Sequence, residues 1–398
     1  MDKPELHLQV LLEKLIKSSL SFALYRLPWT DEPILVLQQE GEAEQIDSLS
    51  GLNNKKGFVF APFRPSATHP VLLIKGDFIC TGWNQMMETL STFFQLHQEL
   101  GKDESLTDAV ENANSEADTG RPISDTSKRI EQSSRTVSEE IRKQQYTEAF
   151  NSFITPLKEK EFEKLVLSRC ASYPLAETFS SIYAFVSACN NYPRMMISLT
   201  HTPSSGIWIG STPEIILSGQ HTDWHTVALA GTMPMDGENM PTEWSAKNQK
   251  EQLIVSEYIQ QVLKNFKTKA ELRGPYTARA GHLVHLKTDF LFSLKHTDHL
   301  GDLLDALHPT PAVCGLPKEK AYQFILAHEG YNRSYYSGII GWLDPEDITN
   351  LYVNLRCMHI TEKETTLYAG GGILPSSNVD AEWEETQIKM NTMRMCLE

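Results

Sequence analysis

The sequence predicts an α+β fold. Strand-like segments are many and short, and four or five amphipathic helical stretches lie among them. No internal repeat divides the 398 residues, a length that admits one large domain or two ordinary ones.

Taken in order, Glu5 to Lys17 has the apolar spacing of an amphipathic helix, and Ser21–Leu27, Pro33–Gln38 and Gly57–Phe60 read as short strands. Residues 101–145 differ in composition. Lys102 to Thr126 is rich in Ser, Asp, Glu, Asn and Thr and reads as a mobile loop or insertion. From Ser127 the pattern becomes an exposed helix leading into Tyr146–Leu157. Beyond Phe162, strand-like and helix-like segments alternate to the end, and every chemically suggestive motif falls there.

Glu163 to Arg169 reads as a buried strand with polar ends, and alternation puts Lys164, Val166 and Ser168 on one face. A lysine at a strand end either snorkels to solvent or, desolvated at a cleft, serves as a base. Gly210 to Leu217 is a turn feeding a strand, with Pro213 fixing the chain before Glu214. That carboxyl either caps backbone amides or, at the mouth of a core, stays protonated and donates a proton. Glu243 to Phe266 is a helix whose stripe Ile254, Tyr258, Val262 and Phe266 leaves Glu251 at the edge of the buried face. An unpaired carboxylate there would cost several kcal/mol, roughly, so it needs a cation. Lys247, Lys250 or a magnesium ion would each satisfy it.

Leu307 to Pro317 holds three prolines in eleven residues, a stiff loop that presents Ala312 and nearby amides or simply joins two elements. Arg333–Trp342 and Tyr352–Arg356 read as strands. Arg356 suits bidentate capture of a carboxylate as well as an ordinary surface ion pair. In the last stretch, Gly370 to Gly372 lead through Pro375 and two serines into a helix. There Glu382 and Glu385 share a face and Lys389 follows four residues later. Two stacked carboxylates repel unless a cation lies between them, and glycines let a ligand approach the backbone. The combination suggests a hard metal ion and an anionic small molecule.

Composition narrows the classes. A formal charge of −15 argues against nucleic acid and anionic membranes, and it means an anionic substrate needs local cations. No apolar run approaches the ~18 residues of a membrane span. The first residues lack the layout of a secretion signal. The six cysteines are scattered without zinc or disulfide spacing, which fits a reducing, cytoplasmic setting.

In their order, these motifs resemble the chorismate-utilising enzymes (anthranilate, aminodeoxychorismate, salicylate and isochorismate synthases). Ala228-Leu-Ala-Gly-Thr232 and His285-Leu-Lys-Thr288 belong to the same series. The likeness is strong over residues 145–398 and fainter through Gly57–Phe63. It implies one large domain, with two stacked, mainly antiparallel sheets flanked by helices and the site in a cleft beside them. Residues 1–100 and 146–398 would share that domain, with 101–145 as a surface excursion. His308-Pro-Thr-Pro-Ala-Val-Cys-Gly315, Arg356-Cys357 and Tyr335–Asp344 look most like the isochorismate synthases. Ala312 stands where one kind of aminodeoxychorismate synthase places a lysine nucleophile, and where many anthranilate and salicylate enzymes place a threonine.

The resemblance implies chorismate as substrate and Mg²⁺ as cofactor, with no obligatory glutaminase subunit, in a monomer or homodimer. Lys164 would be the base and Glu214 the acid. Glu251 and Glu385 would hold the metal, with Glu382 on it or behind a water. Gly231, Thr232, His285, Ala312, Tyr336, Arg356, Gly370 and Lys389 would bind substrate. The alternatives are a salicylate synthase, less favoured an anthranilate synthase component, and a non-catalytic chorismate-binding homologue. The sequence departs from relatives at Asn248, where they usually carry an acid, and at Gln252, where histidine is common.

Overall fold

A computed structural model describes residues 1–97, 125–235, 237–241 and 243–397, with side chains between 125 and 138 left aside. The first part runs α1 (Leu6–Lys17), β1 (Phe22–Arg26), β2 (Ile34–Leu37), β3 (Glu44–Ile46), β4 (Gly57–Ala61), β5 (Val71–Ile74), β6 (Phe78–Thr81) and α2 (Trp83–Leu96). The middle runs α3 (Asp125–Lys158), β7 (Lys164–Pro174), α4 (Ser181–Asn191), β8 (Met196–Thr202), β9 (Gly206–Thr212), β10 (Ile215–Gln220), β11 (Asp223–Pro234) and α5 (Ala246–Asn265). The last part runs β12 (Glu271–Ala280), β13 (Leu283–Ser293), α6 (Leu300–Leu307), β14 (Gly315–Leu316), α7 (Lys318–His328), β15 (Ile339–Leu343), β16 (Thr349–Val353), β17 (Cys357–Ile360), β18 (Glu364–Ile373) and α8 (Val379–Arg394).

The strands form two antiparallel sheets, in the orders β14-β7-β18-β17-β9-β8-β1-β2-β6 and β12-β13-β11-β10-β16-β15-β4-β5-β3. Strands from the first hundred residues close one end of each sheet, so both parts of the chain build one domain. The strands that read as short alternating runs have two apolar faces. Phe22 and Leu24 of β1 pack outward, while Ala23 and Tyr25 pack inward. The inner layer joins Tyr25, Met196, Trp208 and Tyr368 of one sheet to Phe58, Phe60, Ile340 and Tyr352 of the other. Outside, α1, α2, α4 and α8 cover the first sheet, and α5 and α6 cover the second. Each apolar side chain so buried contributes about 1.5–3 kcal/mol.

Two expectations need correction. The segment 333–342 forms a strand only from Ile339, because Tyr336 and Gly338 turn back onto Arg333 and Tyr335. The strand expected over 352–356 ends at Val353, and Arg356 lies beyond it with φ +46°. Gly370–Gly372 belong to the end of β18, paired with Ser168, Leu167 and Val166 of β7. The polar stretch read as a mobile loop lies almost wholly outside the described residues. The helix expected from Ser127 is α3, continuous from Asp125. Among the described residues, no helix is long and apolar enough to cross a membrane.

Candidate active site

Strand ends and one helix build the site. β17 meets β18 only over Thr365–Leu367, whereas β7 pairs with β18 as far as Ile373. Gly370–Gly372 therefore have a strand on one side and a cavity on the other. Ten of the thirteen predicted site residues line it: Glu214, Gly231, Thr232, Glu251, His285, Ala312, Tyr336, Arg356, Gly370 and Lys389. Lys164, Glu382 and Glu385 stand just behind that wall.

Lys164 opens β7 and is wholly buried, so it does not snorkel. Its Nζ lies 2.9 Å from Glu251 Oε1, held by charge, since the pair is not aligned as a hydrogen bond. This corrects the partners expected for Glu251: neither Lys247 nor Lys250 pairs with it. Ser245 caps α5 by accepting from Asn248 N, and the helix turns Asn248, Glu251 and Gln252 into the protein. The Glu251 carboxyl is held below the usual carboxylate range. Burial, the largest influence, pushes it up, but the combined pull of Lys164, Lys247 and Lys389 outweighs burial.

Glu214 follows Pro213 in the turn between β9 and β10 and is buried. Burial pushes its carboxyl up to about 7, against the opposing pull of Lys164, Lys389 and Arg356. At neutral pH it is divided between acid and carboxylate. Burial, not backbone capping, sets its state.

The wall that carries His285 and Arg356 is built on left-handed backbone at Gly231 and Arg356. A bulge between Ala230 and Thr232 leaves Gly231 at φ +74°, where an added Cβ would stand 3.1 Å from Asn248 Cβ. The bulge aims Gly231 O at His285 Nδ1, 3.1 Å away, with Thr232 Oγ1 at 3.3 Å. Arg356 Nη2 donates to His285 Nε2 at 2.6 Å. A guanidinium can only donate, so Nε2 accepts and the imidazole proton sits on Nδ1. Burial, then Arg356 and Lys389, hold this histidine well below its ordinary value, hence neutral. Arg356 also donates to Ala280 O at 2.9 Å. Burial lowers it to about 10, so it remains a cation. Tyr336 stacks on Tyr368 with ring centroids 5.5 Å apart.

Asn378 caps α8, which sets Glu382, Glu385 and Lys389 against β18. Lys389 Nζ donates to Glu385 Oε1 at 2.7 Å and to Gly370 O at 2.9 Å. Lys247 pairs with Glu382 Oε1, leaving buried Oε2 without a hydrogen-bond partner. Each of the three acids thus has its own lysine. The glycines have a steric reason: a Cβ at Gly371 would lie 3.3 Å from both Glu382 Oε2 and Glu385 Oε1, and one at Gly372 would overlap Glu251 Oε1. An orphaned buried carboxylate oxygen beside a second acid has the donor chemistry of a hard cation site. Among the described residues, however, no three acidic, histidine or cysteine side chains are gathered closely enough to form a metal cluster.

Sequence reasoning missed the buried pair Glu329–Arg333. Glu329 Oε1 accepts from Ser168 N and Oγ, both at 2.7 Å, while Arg333 donates to Val166 O and Val313 O. The pair ties the strand carrying Lys164 to the loop carrying Ala312. Its i,i+4 spacing was the available signal, hidden because it straddles the end of α7.

The sequence profile of the family described as chorismate binding enzymes matches residues 38–398. Isochorismate synthase EntC of Escherichia coli K12 is 30% identical over 203 residues, 48% of this chain and 52% of that protein. Isochorismate synthase MenF of Bacillus subtilis is 28% identical over 277 residues, 67% of this chain and 58% of that protein. The chain spans about half the length of the curated relatives it matches. In fold it is similar to the menaquinone-specific isochorismate synthase MenF of E. coli, with TM-score 0.69, 21% identity, and 98% and 91% of the two chains covered. A Bacillus anthracis DhbC chain described as a 2,3-dihydroxybenzoate-specific isochorismate synthase gives TM-score 0.72, 21% identity and 99% coverage of both. The matched segment contains every residue gathered at the cleft, and the chain belongs to the chorismate binding enzyme family.

Proposed function

We propose that this chain is a magnesium-dependent isochorismate synthase that converts chorismate reversibly to isochorismate for menaquinone or catecholate siderophore synthesis. The observation that carries the reading is a cleft that gathers cations and acids together in a chain of net charge −15. Arg356 and Lys389 line it, Lys164 stands behind its wall, and Glu214 on the same cleft is held near neutrality. That combination suits a small dicarboxylate and acid–base chemistry.

In this mechanism Lys164 acts as the free amine, released from its pairing with Glu251, and takes a proton from the water that attacks C2 of the ring. The double bonds shift, and Glu214 gives its proton to the C4 hydroxyl, which departs as water. One water enters and one leaves, and the proton gained by Lys164 returns to Glu214 through solvent. Arg356, oriented by His285, and Lys389 bind the carboxylates, and Gly370 leaves the backbone open to the ring. Ala312 offers no nucleophile, so nothing on the loop competes with water. Glu251 and Glu385 would hold Mg²⁺, with Glu382 on it or behind a water, and the ion would position the ring carboxylate and offset charge shifting towards it.

Incubation with chorismate and Mg²⁺, followed by separation of products, tests this. Isochorismate without salicylate or pyruvate is the expected outcome, with loss of turnover on chelation and recovery on adding Mg²⁺. Salicylate with pyruvate, or anthranilate when ammonium is supplied, would replace the reading.

A further inference from the structure

We infer that Lys247 is a built-in counter-cation for Glu382, competing with the divalent ion for that carboxylate and setting how tightly the ion is held. The inference rests on the magnesium-dependent reading and extends it to a residue outside the ligand set. Glu382 is 2% exposed, and a lone carboxylate at that depth is strongly destabilising. It also stands beside a like charge. Some cation must be there when the metal is not.

Lys247 is placed to be that cation. It lies on the second residue of α5, one full turn before Glu251, and crosses to α8 to pair with Glu382 Oε1. Its side chain is about a quarter exposed, so it has solvent to withdraw into. Glu382 Oε2, by contrast, is buried and unpartnered, and it stands with Glu385 Oε1 beside Gly371. One oxygen is thus taken by the lysine, while the other lies in the space beside Gly371 that it shares with the second acid. The neighbouring residue, Asn248, carries no charge and donates instead to Thr232 O at 3.4 Å, so no acid beside Lys247 diverts it. Lys164 and Lys389 neutralise the other two carboxylates, but each has a separate task in the proposed reaction. Lys247 has none.

The test is Mg²⁺ binding to the full chain by titration calorimetry and by thermal melting, comparing wild type with Lys247→Met. The variant should bind Mg²⁺ at least roughly fivefold more tightly, the lower end of ordinary site–site coupling. Without metal it should melt below the wild type, and added Mg²⁺ should raise its melting temperature by more than it raises that of the wild type. If the variant does not fold, amine acetylation of the wild type read by peptide mass mapping serves instead. Saturating Mg²⁺ should then raise Lys247 labelling about fivefold while exposed Lys295 stays constant. Wild type that binds Mg²⁺, with Lys247→Met binding no more tightly, overturns the inference and leaves the magnesium reading standing. Wild type that binds no Mg²⁺ overturns both.

Discussion

Glu251 answers to Lys164, not to the lysines of its own helix: Nζ and Oε1 meet at 2.9 Å, joining α5 to the first residue of β7. The pair is buried on both sides, and each member neutralises the other. Removing one side chain therefore does two things, and the two can be separated.

Lys164→Ala should lower kcat by at least roughly 10²-fold, the scale for losing a general base. It should also destabilise the fold by about 3 kcal/mol by stranding a buried carboxylate. Lys164→Met with Glu251→Gln should restore most of the stability and none of the turnover. Urea unfolding and steady-state kinetics on the same samples check both. Recovery of activity in the double variant would remove Lys164 from the proposed chemistry.

Glu214 gives a pH prediction. Its carboxyl is raised to about 7 in the fold, from an ordinary value near 4.5. Between those values the folded chain binds more protons than the unfolded one, so its contribution to stability is complete below about 4.5 and lost as pH rises through about 7. Glu214→Gln should remove that loss, gaining on the order of 3 kcal/mol relative to wild type above pH 7. In the forward reaction, wild-type kcat/KM should fall about tenfold per unit above neutrality as the acid form disappears. The variant should be at least roughly 10²-fold slower throughout.

Gly372→Ala should abolish turnover. The new methyl would overlap Glu251 Oε1 and lie 2.8 Å from Lys164 Cε, and both belong to packed elements. An overpacking cost of about 1–3 kcal/mol in thermal or urea melts is expected alongside. A fully active variant would show that this corner yields more easily than its packing implies.

Arg356→Lys should raise KM for chorismate at least roughly tenfold with a smaller effect on kcat, because an ammonium cannot reproduce the fork that reaches Ala280 O, His285 and a carboxylate together. Initial-rate kinetics across substrate concentration separate the two constants. A change confined to kcat would argue against a role in substrate capture.

Much of the site's chemistry could be read along the chain, because the acids, the base and the arginine stand in segments with clear local patterns. Alternation placed Lys164, Val166 and Ser168 on one face, and Gly372 and Gly370 pair across from the last two. Which lysine meets which glutamate could not be read, since Lys164 and Glu251 are 87 residues apart and helical spacing favours Lys247 or Lys250 (251 − 164 = 87). The left-handed turn at Arg356 was equally hidden: that position is neither glycine nor asparagine, and the strand-like pattern runs on through it. The strand position of glycines 370–372 could not be read either, because it makes sense only once the carboxylates behind them are known.

Interleaving of early and late strands has a practical outcome for anyone cutting the gene. The first hundred residues supply none of the proposed reactive groups, yet β1 zips along β8 and β4 along β15. A fragment beginning near residue 146 would keep every catalytic candidate while baring two long, apolar strand margins. Such margins recruit one another, so that fragment should precipitate or oligomerise before it could be assayed.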